Sequence, residues 1–171
     1  GAGSSVALQN ALRLGGDSAN LYASIFYSKA MQYDGFVNVA VAIKKQEDTD
    51  NAGLDARAGV APVRHTTKLG SSKSDNLQMS ANIELPNEND SIVYANANIN
   101  FRDSEANALY RAPSAYSANG FLPTINPQIY DYRLGVGVKK EGGIVDWDIS
   151  STYGLNEIRF YVKDSMNYSL A

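Results

Sequence analysis

From Tyr130 onward every second residue is apolar. Tyr130, Tyr132, Leu134, Val136 and Val138 fall on one face of an extended chain, and Asp131, Arg133, Gly135, Gly137 and Lys139 fall on the other. After the turn Glu141-Gly142-Gly143 the alternation resumes: Val145, Trp147, Ile149 and Tyr153 share one face, and Asp146, Asp148, Ser150 and Thr152 share the opposite one. Two such strands joined by a glycine turn make an amphipathic β-hairpin. Its apolar surface has to meet either a protein core or lipid, and that choice governs the reading of the whole chain.

The same period recurs upstream. Ser4 to Leu14 carries Val6, Leu8, Leu12 and Leu14 in register, and Gly15-Gly16-Asp17-Ser18 is a turn. Ala19 to Gln32 carries Leu21, Ala23, Ile25 and Tyr27, with a mixed opposite face. Tyr33-Asp34-Gly35 supplies an Asp-Gly hairpin signal. Phe36 to Asp48 places Val37, Val39, Val41 and Ile43 on one face. Asn76 to Pro86 does the same with Leu77, Met79, Ala81, Ile83 and Leu85, and Ser91 to Arg102 with Val93, Ala95, Ala97, Ile99 and Phe101. Asn87-Glu88-Asn89-Asp90 joins the last two. The final strand continues toward Lys163, with a β-bulge expected near Gly154 to Asn156. No segment has a helical period. The expectation is an all-β chain: an antiparallel up-and-down meander of about seven amphipathic strands forming one domain over residues 1–171.

Two long connections, about residues 49–75 and 103–129, alternate with short ones after the third strand. Short periplasmic turns and long extracellular loops are the rule of transmembrane β-barrels, whereas a soluble sandwich has no need of it. Most strands exceed the ~9–11 residues that cross a bilayer. Tyr33, Phe36, Tyr130, Tyr132 and Phe160 lie near expected strand ends, where interfacial aromatic girdles belong. Mean hydropathy is negative and no apolar run is long enough for a membrane helix, but alternating barrel strands keep their average low. The formal net charge of −3, from 15 basic and 18 acidic residues, is too balanced for a nucleic-acid surface. Cysteine is absent, which removes disulfides and thiolate metal sites.

Several segments, in order, resemble the barrel of TonB-dependent outer-membrane receptors. They are Asp34-Gly35-Phe36-Val37-Asn38-Val39, Asp48-Thr49-Asp50-Asn51-Ala52-Gly53, Gly120-Phe121-Leu122-Pro123, Asp131-Tyr132, Trp147-Asp148-Ile149-Ser150, Thr152-Tyr153-Gly154 and Ser165-Met166-Asn167-Tyr168-Ser169-Leu170. The resemblance runs from about Leu21 to the end. It implies a bacterial outer-membrane receptor that takes up a scarce nutrient such as an iron chelate (siderophore uptake). Its partners would be outer-membrane lipid, a plug domain, further barrel strands, a small-molecule nutrient and the TonB energy-coupling complex. The sequence shows neither a plug nor an energy-coupling box, so the expectation is the N-terminal part of such a barrel. Cobalamin, carbohydrate and peptide stay open as substrates. Two alternatives stand beside it. One is a small structural or adhesive outer-membrane barrel completed by an eighth strand. The other is a soluble β-sandwich binding module whose Val37–Ile43 and Leu77–Leu85 faces pack together.

No catalytic constellation is visible, and neither a cofactor nor a metal is expected. His65 is the only histidine and has no evident partner. The acidic run Glu47-Asp48-Thr49-Asp50-Asn51 lacks a spaced calcium-ligand set. Gly135-Val136-Gly137 lies within a strand, so it is not a dinucleotide motif. Its glycines would let another backbone, such as a plug, approach the wall. The polar ladder Asn96, Asn98, Asn100 and Arg102 either lines a substrate path or forms a hydrated inner wall against a plug. Arg57, Arg64, His65, Arg111 and Tyr116 in the long loops are candidate ligand contacts, since basic groups suit anions and aromatics suit apolar ligands. Ordinary loop solvation is the competing reading for each.

Overall fold

The computed structural model describes residues 4–15, 18–57, 59–142 and 144–167, with side chains from residue 20 onward. The alternating segments form seven strands: β1 (Ser4–Gly15), β2 (Ser18–Ala30), β3 (Phe36–Gln46), β4 (Lys73–Pro86), β5 (Ser91–Asn107), β6 (Thr124–Lys140) and β7 (Trp147–Lys163). They make one antiparallel sheet in sequence order, with β1 and β7 as its edges. Each apolar set meets the apolar set of its neighbour because directly opposed residues share a face. One row runs Ala23, Ile43, Leu77, Phe101, Tyr130 across five strands, and another runs Tyr27, Val39, Ala81, Ala97, Leu134, Tyr153 across six. The result is a continuous apolar belt.

No layer covers this belt among the described residues. Ile43, Leu134 and Tyr153 expose 51%, 50% and 65% of their surface. The buried apolar residues, Val60 and Tyr110, both lie in the long loops. This overturns the sandwich expectation. β3 and β4 are hydrogen-bonded neighbours, so the Val37–Ile43 and Leu77–Leu85 faces lie side by side and look the same way.

The strands outrun the belt at the long-loop end. β4 starts at Lys73, β5 runs to Asn107 and β6 starts at Thr124, so the long connections shrink to residues 47–72 and 108–123. Beyond Phe101 and Tyr130 the two faces exchange character. The belt's face continues as Asp103, Glu105, Gln128, Arg159 and Lys163. The opposite face turns apolar with Ile125, Ile129, Ile158, Phe160 and Val162. The register from Thr124↔Lys163 to Lys140↔Trp147 is unbroken, so the bulge expected near Gly154–Asn156 is not formed. The phase change in the sequence is a change of face, not an extra residue.

This extension tolerates a proline inside β6. Pro127 has no N–H for the ladder, and the Ser104 and Glu105 pairings drop out there. Asn126, itself buried, donates from Nδ2 to the Ser104 carbonyl at 2.8 Å and so supplies the missing donor. The aromatic expectation needs the same correction. Tyr130 and Tyr132 are interior to β6, though Tyr130 edges the belt, with Phe101 at 5.0 Å and the Arg159 guanidinium 5.2 Å over its ring. Phe36 and Phe160 lie on the opposite face.

The short turns are laced together. Between β2 and β3 a single 3-10 turn, Gln32–Asp34, places Tyr33 and Asp34 at φ 54° and 61°, so the left-handed positions precede Gly35. Gly35 is needed for approach: a Cβ there would lie 2.8 Å from the Glu84 carbonyl oxygen. Tyr33 Oη donates to Glu88 Oε1 (2.9 Å), and Lys140 Nζ donates to the Asn89 carbonyl (3.0 Å). The turns expected at Gly15–Ser18 and Glu141–Gly143 each include residues outside those described.

Candidate functional site

The polar face of the sheet and the loop cap above it hold the candidate residues. Asn96, Asn98, Asn100 and Arg102 do form a ladder on one face of β5, opposite the belt. Asn96 pairs with Asn82 and Gly135, Asn98 with Ser80 and Arg133, Asn100 with Gln78 and Asp131, and Arg102 with Asn76 and Ile129. Asn100 Nδ2 donates to Asp131 Oδ2 at 3.3 Å.

Gly135 and Gly137 sit on this face, but the space above them is not left for another backbone. A Cβ on Gly137 would lie 2.4 Å from Tyr94 Cζ, and one on Gly135 would lie 2.9 Å from the Asn96 amide. The side chains of β5 lie flat over β6 through these gaps. Tyr94 thereby reaches β7, where its hydroxyl donates to Asp148 Oδ1 at 2.7 Å. Lys139 lies beside them, with Glu84 at 3.7 Å and Glu141 at 3.4 Å. A cleft of about 360 Å³ opens among these groups at the short-turn end. Lys139 is paired with Glu84, and the Asp148 carboxylate accepts the Tyr94 hydroxyl. The ladder is visible in the sequence, but this cluster is not: Tyr94 and Asp148 meet only through a three-strand register.

The loop candidates divide. Arg57 grips Asp55 with two side-chain bonds, Nε to Oδ1 at 2.9 Å and Nη2 to Oδ2 at 2.6 Å, and Thr66 Oγ1 donates to the same carboxylate. Hydrogen bonds from Arg57 and then Thr66 hold the Asp55 carboxyl well below the usual carboxylate range, and the same pairing raises Arg57. Arg64 Nη2 donates to Tyr110 Oη (3.1 Å) and to the Asn119 carbonyl (3.0 Å), while Tyr110 Oη donates to that carbonyl at 2.6 Å. Arg64 is thus the clamp between the two long loops. His65 is exposed. Arg111 is exposed and pairs its backbone with Phe121. Tyr116 is 60% exposed, in the tight segment bridged by Ser114 and Ser117. Of the five, Arg57 and Arg64 already have partners within the loops.

In the acidic run, Asp48 pairs with Lys68 (3.2 Å), and Asp50 Oδ1 accepts the backbone N–H of Ala52 (2.9 Å) and of Leu69 (3.3 Å). The Ala52 bond, before the others, lowers the Asp50 carboxyl. Among the described residues no group of three or more His, Asp or Glu side chains is placed to hold a metal. No protein-family model, curated protein or solved structure matches the chain.

Proposed function

We propose that this chain is a section of the wall of a transmembrane β-barrel in the bacterial outer membrane, and that the barrel is a TonB-dependent receptor for a scarce nutrient. The observation that carries the membrane reading is the uncovered belt. A water-soluble domain buries one face of a sheet against a second layer. Here a belt of apolar side chains spans six strands with nothing packed on it among the described residues. On β5 the belt runs from Val93 to Phe101, about 27 Å along the strand at ~3.4 Å per residue. Nine residues is the lower end of the ~9–11 that a tilted barrel strand uses to cross a bilayer. The exchange of faces above Phe101 supports the same boundary, since side chains beyond the lipid on the belt's face meet water and are mostly polar or charged.

In this reading the Asn ladder, Tyr94 and Asp148 line the lumen, and the clamped long loops form an extracellular cap. A plug would lie against the wall, and an energy-coupling complex would drive passage of ligand past it. Uptake, not catalysis, is the role. An open sheet has two edges that lipid cannot hydrate, so the reading requires further strands to close the barrel. The receptor assignment rests on the ordered segments that resemble that family.

The test is the size and location of the native polypeptide. Recovery from the outer-membrane fraction at several times 18.5 kDa is expected. A membrane species near that mass favours the small structural or adhesive barrel instead, and recovery from the soluble fraction alone overturns both.

A further inference from the structure

A second cleft, of about 240 Å³, opens on the polar face near the long-loop end. Its central row is Tyr22, Lys44, Asn76 and Arg102, one residue from each of four adjacent strands. One row toward the short turns, Ala42 contributes only a methyl group, so the floor stays open, and Gln78 stands beside it. Two cations thus flank one space, separated by a single strand, or about 10 Å between backbones.

The charge balance differs from that of the first cleft. There the one cation, Lys139, is paired with Glu84, and a second carboxylate, Asp148, accepts the Tyr94 hydroxyl. Here no carboxylate lines the cleft, and neither Lys44 nor Arg102 has an ion pair or side-chain hydrogen bond among the described residues. The nearest acid on the same face is Asp131, diagonal to Arg102 on β6, and it takes its bond from Asn100. The frame around the cations is fixed. Asn76 Nδ2 donates to the Lys44 carbonyl (3.4 Å) and to Ser74 Oγ (3.2 Å), and Gln46 Nε2 donates to the Ser72 carbonyl (3.2 Å). Among the described residues the free donors are therefore the Lys44 ammonium, the Arg102 guanidinium, the Gln78 amide and the Tyr22 hydroxyl.

We infer that this cleft binds a small soluble anion with at least two negatively charged oxygens, a dicarboxylate or a phosphate monoester. Arg102 offers a planar fork to one oxyanion and Lys44 a point charge from the opposite side. Gln78 and Tyr22 add neutral donors. The inference rests on the cleft's own geometry and not on the membrane reading, in which the cleft would face the lumen.

Calorimetric titration of the detergent-solubilised chain with succinate, inorganic phosphate and neutral sorbitol tests it. The two anions should bind, more weakly as ionic strength rises, and sorbitol should not. Lys44→Gln and Arg102→Gln should each raise Kd about tenfold or more, the loss of one charge-assisted contact. Lys44→Arg should retain binding, which separates lost charge from lost fold. Arg133→Gln, an exposed cation outside the cleft, should leave Kd within about twofold. Absence of anion binding, or an equal loss in Arg133→Gln, overturns the inference. Neither result bears on whether the belt faces lipid.

Discussion

Tyr94 on β5 donates a hydrogen bond to Asp148 on β7 at 2.7 Å, across the whole width of the intervening strand. It can do so because β6 presents Gly137 at the crossing point, where a Cβ would lie 2.4 Å from Tyr94 Cζ. Gly137→Val is expected to displace the ring, break the bond to Asp148 and destabilise the sheet by about 1–3 kcal/mol. Gly154→Ala is the control, since a Cβ there meets nothing nearer than the Tyr132 carbonyl oxygen at 3.8 Å. Thermal unfolding in detergent should show a lowered Tm for Gly137→Val and little change for Gly154→Ala.

The Asp55 carboxyl ties residues 55–66 together through Arg57 and Thr66. Its proton affinity is lowered in the folded loop, so the stability it contributes is present above the unfolded carboxylate value. That stability is lost as pH falls toward the folded value. Amide exchange across residues 55–66 should be slow from neutrality to about pH 4 and accelerate below it, beyond the intrinsic pH effect. Asp55→Asn should exchange faster at neutral pH and lose that acid step.

Arg64 and Tyr110 join the two long loops. Tyr110→Phe removes the hydroxyl that donates to the Asn119 carbonyl and accepts from Arg64, with an expected loss of about 1 kcal/mol. Because the two residues share a partner, Arg64→Ala and Tyr110→Phe should be non-additive in a double-mutant cycle. Additive effects would mean that the loops are held by something other than this clamp.

The strand pattern was legible because apolar residues at Val93, Ala95, Ala97, Ile99 and Phe101 leave little freedom in which face they present. What lay beyond the belt was not legible. Ile158, Phe160 and Val162 continue a strict alternation but in the other phase, which in one dimension is indistinguishable from a bulge at Gly154–Asn156. The continuous register resolves it. Pro127 and the polar residues from Asp103 to Asn107 likewise read as loop, because the Asn126 side chain that substitutes for a ladder donor leaves no sequence period. In the candidate sites, the ladder from Asn96 to Arg102 followed from alternation alone. The Tyr94–Asp148 bond, the Arg64–Tyr110 clamp and the approach of Lys44 to Arg102 all depend on register or loop folding between distant segments. Nor does composition reveal that Arg57 pairs with Asp55, two residues away.

Leu134 lies in the middle row of the belt, with Ala97 on one side and Tyr153 on the other. If that row sits at the bilayer midplane, Leu134→Arg should destabilise the inserted protein by about 2–4 kcal/mol. Asn98→Asp, on the polar face and opposite Arg133, should change stability by no more than about 0.5 kcal/mol. Denaturant titration in lipid vesicles distinguishes the two. Equal tolerance of both substitutions would place water on both faces.

Ala97 and Asn98 are adjacent on β5 and occupy opposite faces. The chain has no cysteine, so a single one can be introduced at either position and spin-labelled without background. Collision with molecular oxygen, which partitions into lipid, and with a water-soluble nickel chelate should be measured for each label in the full chain reconstituted into bilayers. A lipid-facing belt predicts that the label at position 97 meets oxygen and is shielded from the chelate, while the label at position 98 shows the reverse. Equal access of the chelate to both positions would contradict it.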